Sequence, residues 1–88
     1  MGHVILNTGA CTNVEVPVSS TAMKTVRGKF NPSGMGAVDV TKSLAAALIS
    51  HLETLRDSDD CDGREAALAI THVQTACMFG VASATSNL

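Results

Sequence analysis

The sequence predicts a mainly α protein bordering on α+β. An antiparallel two-helix hairpin follows an N-terminal arm with short β-strands, and the chain assembles as a homo-oligomer. Three observations carry this expectation. Residues 38–56 and 62–85 both repeat apolar side chains at steps of three and four, the period of an amphipathic helix. Only a short polar link, Asp57 to Gly63, separates them, and helices so joined pack antiparallel. Finally, a chain of 88 residues with two aromatics, Phe30 and Phe79, has little material for a core of its own. Association with further copies is the expected source of the missing burial. The chain divides into an arm and ligand loop over 1–36 and a helical hairpin over 37–88.

In the arm, His3 to Leu6 and Val14 to Val18 are β-prone, and Val14, Val16 and Val18 alternate with Glu15 and Pro17. Turn-forming residues fill Asn7 to Asn13. A hairpin is one reading, with Pro17 confining its strand to an edge. A loosely ordered arm fixed only on a neighbouring subunit is the other. Met23 to Phe30 reads as a third short strand. Asn31-Pro-Ser-Gly-Met-Gly36 then breaks the chain, because Pro32 sets φ and Gly34 and Gly36 admit positive φ.

The first long helix, 38–56, carries the seam Val38, Thr41, Ala45, Leu48, Leu52 and Leu55, with a weaker stripe of Val40, Leu44, Ala47 and His51. Asp39 near its start and Arg56 near its end suit the helix dipole. The second begins at Asp62, which with Glu65 has the pattern of a capping box. Its seam is Ala66, Ile70, Val73, Cys77, Gly80 and Ala84, mostly small residues that let another helix approach closely. Ala67, Leu68, Met78, Phe79, Val81 and Ala82 make a second apolar side. One partner helix cannot cover both sides, so this stretch predicts a hairpin within the chain and contacts between chains.

Composition narrows the function classes. A net charge of −2 with six basic residues argues against binding DNA or RNA polymers, which need a basic face. Three cysteines, Cys11, Cys61 and Cys77, include no CxxC pair, so a reducing cytoplasm is the expected location. The N-terminus lacks the basic region and apolar length of a signal peptide, and no segment is expected to reach the apolar length of a membrane span. The acidic link resembles a calcium loop but fails in register: counted from Ser58, the twelfth position is Ala69 where a bidentate Glu is required. The cysteines and histidines lack zinc-site spacing. Thr71 and His72 are sequence neighbours that point apart on a helix, so no nucleophile–base pair can be argued and no enzyme, metal or cofactor is expected.

Two places carry binding chemistry. Arg27-Gly-Lys-Phe-Asn-Pro-Ser-Gly34 gathers cations (Arg27, Lys29), an aromatic (Phe30), an amide (Asn31), a hydroxyl (Ser33) and glycine N–H groups (Gly34) within eight residues. Phosphate needs cations and N–H donors, and a base needs a stacking face and an edge partner. The alternative is a strand ending in a turn, with Phe30 packed on the hairpin. Arg64 lies in the first turn of a helix, where a cation opposes the dipole, and an anion held there would account for it. Thr71, two turns on, shares its face. The alternative is an exposed Arg paired with an Asp of the link.

These residues also carry a resemblance. Arg64-Glu-Ala-Ala-Leu-Ala-Ile-Thr-His-Val-Gln-Thr-Ala-Cys-Met-Phe79 resembles the second helix of a phage hairpin-domain family that includes anti-CBASS protein two and Thoeris anti-defence protein one. Lys29-Phe-Asn-Pro-Ser-Gly34, with Val38, Asp39 and a Lys three residues later, resembles the start of that domain. The likeness spans roughly 27–85 and leaves residues 1–26 uncovered. It implies a sponge that sequesters cyclic di- or trinucleotides, or cyclic ADP-ribose isomers, without cleaving them, and so blocks CBASS or Thoeris defence in the host cytoplasm. It also implies compact oligomers, commonly hexamers, with pockets between subunits. Arg64 and Thr71 match the family's helix positions, and Lys29, Phe30, Asn31 and Ser33 match the segment before the hairpin. The chain departs in having Phe79 where many members carry Trp, and Gln74-Thr75 where a Glu pair is common. A helical oligomeric adaptor for a protein partner is the competing expectation.

Overall fold

The computed structural model describes residues 3–7, 9 and 13–87. Its elements are β1 (His3–Asn7), β2 (Asn13–Pro17), α1 (Ser20–Val26), α2 (Gly36–Arg56) and α3 (Gly63–Ala84). Of the two readings of the arm, the structure takes the hairpin: β1 and β2 pair antiparallel, with Val4 opposite Val16 and Ile5 opposite Glu15. A two-stranded sheet consists of edges, which accommodates Pro17. Within the expected turn, Thr8, Ala10, Cys11 and Thr12 lie outside the described residues. Gly9 has φ +76°, and its N–H donates to Asn7 Oδ1 at 2.9 Å.

The expected third strand is a helix. Ser19 caps α1 by accepting from the Ala22 N–H at 3.1 Å, and Ala22 and Val26, one turn apart, are buried. The β-branched Thr25 and Val26 favour a strand locally, but tertiary contacts decide otherwise. The Ser19 N–H donates to Ser50 Oγ of α2 at 2.7 Å, and Ser19 Oγ donates to Glu53 Oε1 at 2.5 Å. Thr21 donates to the other Glu53 oxygen. These bonds fix the start of α1 on α2.

α2 and α3 make the antiparallel hairpin. At one end, a Cβ on Gly80 would lie 2.8 Å from Thr41 Cγ2, near the start of α2. At the other, a Cβ on Gly63 would lie 2.8 Å from the Arg56 carbonyl oxygen. Asp62 Oδ1 caps α3, accepting from the N–H groups of Arg64 at 3.0 Å and Glu65 at 3.1 Å. Glu65 returns no bond to Asp62, so half of the capping box is formed. The whole predicted seam of α3, Ala66 through Ala84, is buried or half-buried.

The seam predicted for α2 is buried or half-buried except at Leu48, and a second stripe is buried beside it. Leu48 is 45 % exposed, and the deepest residues are Val38, Ala46 and Ile49, with Lys42 and Ser50 beside them. The cause is α1, which occupies a second side of α2 where the sequence pattern predicts no helix. The core is therefore small in volume: Val18, Ala22, Val26, Ala45, Ala46, Ala47, Ile49 and Cys77.

α3 also departs from the expectation about membrane spans. At 22 residues, it is long and apolar enough to cross one by length and composition. Its seam packs on α2, while Met78 and Phe79 on the other side are 67 % and 73 % exposed. Leu68, Val40 and Leu44 are exposed as well.

Candidate functional site

The turn after α1 is built by the end of a short helix. Arg27 adopts φ +51° and ψ +54°, the left-handed conformation that commonly terminates helices. Its N–H donates to the Lys24 carbonyl at 3.2 Å, and the Gly28 N–H donates to the Met23 carbonyl at 2.9 Å. This pair of bonds is a Schellman motif. Gly is the usual residue at such a position, because a side chain there is strained. Arg27 occupies it and leaves its guanidinium exposed.

Phe30 follows, with its N–H donating to the Arg27 carbonyl at 2.9 Å and its ring 58 % exposed. It is therefore not packed into the hairpin. Asn31 and Ser33 shape the next turn. The Asn31 amide donates to the Met35 carbonyl at 2.9 Å and to Asp39 Oδ1 at 3.0 Å, while Ser33 Oγ donates to Asn31 Oδ1 at 2.7 Å. Gly34 closes it at φ +67°, donating to the Asn31 carbonyl at 3.1 Å. Asn31 and Ser33 thus spend polar groups on the loop itself.

Beneath the turn lies a residue absent from the sequence-based site. Lys42 of α2 is only 7 % exposed. Its ammonium donates to the Arg27 carbonyl at 2.8 Å and to the Phe30 carbonyl, and it sits 5.5 Å from the centre of the Phe30 ring. The available signal was a cation on the stripe Val38, Lys42, Ala46, Ile49, whose other members are apolar.

Three hollows surround this turn. One of about 430 Å³ is lined by Lys24, Arg27, Lys29 and Phe30 together with Ser20 and Met23. A second, about 390 Å³, opens between the end of α1 and α3, with Arg27, Lys42, Gln74 and Met78 on its walls. The third, about 540 Å³, lies between Phe30, Asn31, Ser33, Lys42, Val81 and Thr85. Four of the six basic residues of a chain with net charge −2 line these hollows: Lys24, Arg27, Lys29 and Lys42. The Cys77 thiol, on the wall of the second, is pushed up by burial against a smaller opposite pull from Lys42. That disfavours a thiolate and any nucleophilic use of it.

Arg64 and Thr71 stand apart from the turn. Both are exposed, and their seven-residue spacing puts them on one outward face of α3. The turn abuts Val81 and Thr85 at the far end of that helix. At 1.5 Å per residue, Arg64 lies roughly 25 Å from Val81 along the axis. One chain therefore does not bring the two groups together. Arg64 makes no ion pair among the described residues, so the pairing with an acidic link residue is not formed. The Asp62 carboxylate already occupies the adjoining helix N–H groups, so an anion at Arg64 would rest on the guanidinium. The Thr71 hydroxyl donates to the Ala67 carbonyl at 3.3 Å.

Comparison with known proteins gives one finding. The family model described as Acb2/Tad1, hairpin domain, matches residues 23–85, which covers the second half of α1, the turn, α2 and α3. The chain has no significant match among curated proteins or solved structures.

Proposed function

The chain belongs to the Acb2/Tad1 hairpin-domain family, and from that premise we propose that it is a sponge for cyclic nucleotide messengers of bacterial immunity. It binds cyclic di- or trinucleotides, or cyclic ADP-ribose isomers, and holds them without cleavage, in the cytoplasm of a host cell. The observation that carries this reading is the concentration of cations around an exposed aromatic at residues 24–42 in an otherwise acidic chain. Arg27 and Lys29 attract phosphate, and Phe30 offers a face for a base.

The second group, Arg64 and Thr71, reaches a ligand through assembly. A cyclic nucleotide carries more than one phosphate, and guanidinium forks from neighbouring subunits can hold several at once. The exposed apolar side of α3, with Leu68, Met78 and Phe79, supports self-association, and a hexamer is the assembly proposed.

One experiment tests the reading. The protein is mixed with a panel of cyclic nucleotides, freed of unbound ligand, denatured, and the released material analysed. Tight binding with intact recovery is expected. Recovery of cleaved product would make the protein an enzyme. Absence of binding across the panel would leave the exposed apolar face to a protein partner, the adaptor reading.

A further inference from the structure

We propose that Lys42 is the positioning residue of this site, a buried cation that clamps the 27–30 turn and so sets Arg27 and Phe30 in one fixed relation. The proposal rests on the sponge reading for what the turn binds, but not for the clamp itself.

A buried ammonium is costly unless its donors are engaged, and Lys is more strongly hydrated than Arg. Lys42 enters no ion pair among the described residues. Its partners are main-chain oxygens, those of Arg27 and Phe30, one on each flank of Gly28-Lys29. The Arg27 carbonyl has a second partner in the Phe30 N–H, whereas the Phe30 carbonyl has Lys42. An apolar residue on this stripe would pack against Val38 and Ala46 without the desolvation cost. What the ammonium adds is the tie between α2 and the turn. That tie holds a left-handed Arg27 against its strain and stations the Phe30 ring over the cation. The same residue lines two of the three hollows, so the turn it ties down forms part of their walls.

The test uses Lys42→Met and Lys42→Arg in the whole protein, with two readouts. The first is amide hydrogen exchange without ligand. In Lys42→Met, exchange across 27–34 rises ten-fold or more while that of 63–84 keeps its wild-type rate, and Lys42→Arg restores most of the protection. The second is calorimetry with cyclic GMP–AMP, cyclic triadenylate and cyclic ADP-ribose. For each probe that wild type binds, Lys42→Met weakens affinity at least ten-fold. Adding Phe30→Ala to Lys42→Met then changes affinity less than two-fold, because the ring was already misplaced. Wild-type exchange over 27–34 in Lys42→Met overturns the proposal, and so does a full Phe30→Ala loss in that background. Should Lys42→Met lose its helicity, Lys42→Gln, neutral and too short to reach both carbonyls, takes its place with the same readouts. A wild type that binds none of the three probes refutes the sponge reading, and exchange alone then decides the clamp.

Discussion

Replacing Gly80 with Ala sets two terms of opposite sign against each other. In an exposed helix the change would stabilise by about 0.8–1.0 kcal/mol, because Ala loses less backbone entropy. In α3 the new Cβ would lie 2.8 Å from Thr41 Cγ2, closer than carbon atoms approach without displacement. Thr41 cannot turn aside freely. It is β-branched, and its Oγ1 donates to the Ala37 carbonyl at 2.8 Å, so a new rotamer forfeits that bond. Overpacking of such a seam costs about 1–3 kcal/mol. The expected net effect of Gly80→Ala is a loss of about 0–2 kcal/mol, the sum of those two terms. Thr41→Ser removes Cγ2 and keeps the hydroxyl, so in that background Gly80→Ala should stabilise by about 1 kcal/mol. The sign reverses between backgrounds, and that reversal is the prediction. Urea unfolding of the four proteins at one fixed subunit concentration measures it, since self-association would make stability depend on concentration. Gly80→Ala stabilising the protein equally in the wild-type and the Thr41→Ser backgrounds would refute the close contact of α2 and α3.

Phe30→Ala should leave the fold intact, because the ring is largely exposed, and should weaken ligand binding by about 1–3 kcal/mol, the usual value of base–aromatic stacking; a mutant that unfolds in a thermal melt would make Phe30 a core residue. Arg64→Ala should reduce affinity without changing assembly, each lost charge-assisted bond costing about 1.5–3 kcal/mol. Arg64→Lys should recover only part, since an ammonium cannot make the bidentate contact. Wild-type calorimetric affinity in Arg64→Ala for every cyclic nucleotide would confine the site to the 27–34 turn. Ser19→Ala should cost about 1–2 kcal/mol in chemical denaturation, through the lost cap of α1. The bond to Glu53 goes with it, and unchanged stability would show that α1 is held by Ala22 and Val26 alone.

The hairpin was legible because its signals are local and long. The α3 seam repeats over about five turns, and Asp62 announces the helix start where it occurs. The alternation of Val14 and Val16 with Glu15 marked a strand, but left a paired hairpin and a loose arm equally open. α1 was not legible, because seven residues seldom sustain a helix without help. Its help comes from Ser50 and Glu53, more than thirty positions away in the chain. That omission also hid the second buried stripe of α2, Lys42, Ala46, Ile49 and Ser50. In the site, Arg27, Lys29 and Phe30 could be found because their chemistry lies in adjacent residues. Lys42 offered only a cation on an otherwise apolar stripe, and its role was hidden because its acceptors are carbonyls that every residue possesses, brought to it by the path of the backbone. The distance of Arg64 from the turn was likewise a matter of which end of α3 meets α1.

The choice of main-chain acceptors by Lys42 has an evolutionary reading. A tie to carbonyls is indifferent to the side chains carried at 27 and 30. Those positions can change identity while the backbone beneath them keeps its course. On the function proposed above, the turn is a socket with interchangeable fittings: a swap at 27 or 30 would alter which ligand is preferred, and the scaffold need not be rebuilt. A lineage that stopped needing the ligand would drift first at 27, toward Gly or Asn, which take the left-handed conformation with less strain. Lys42 would be the last of the group to go.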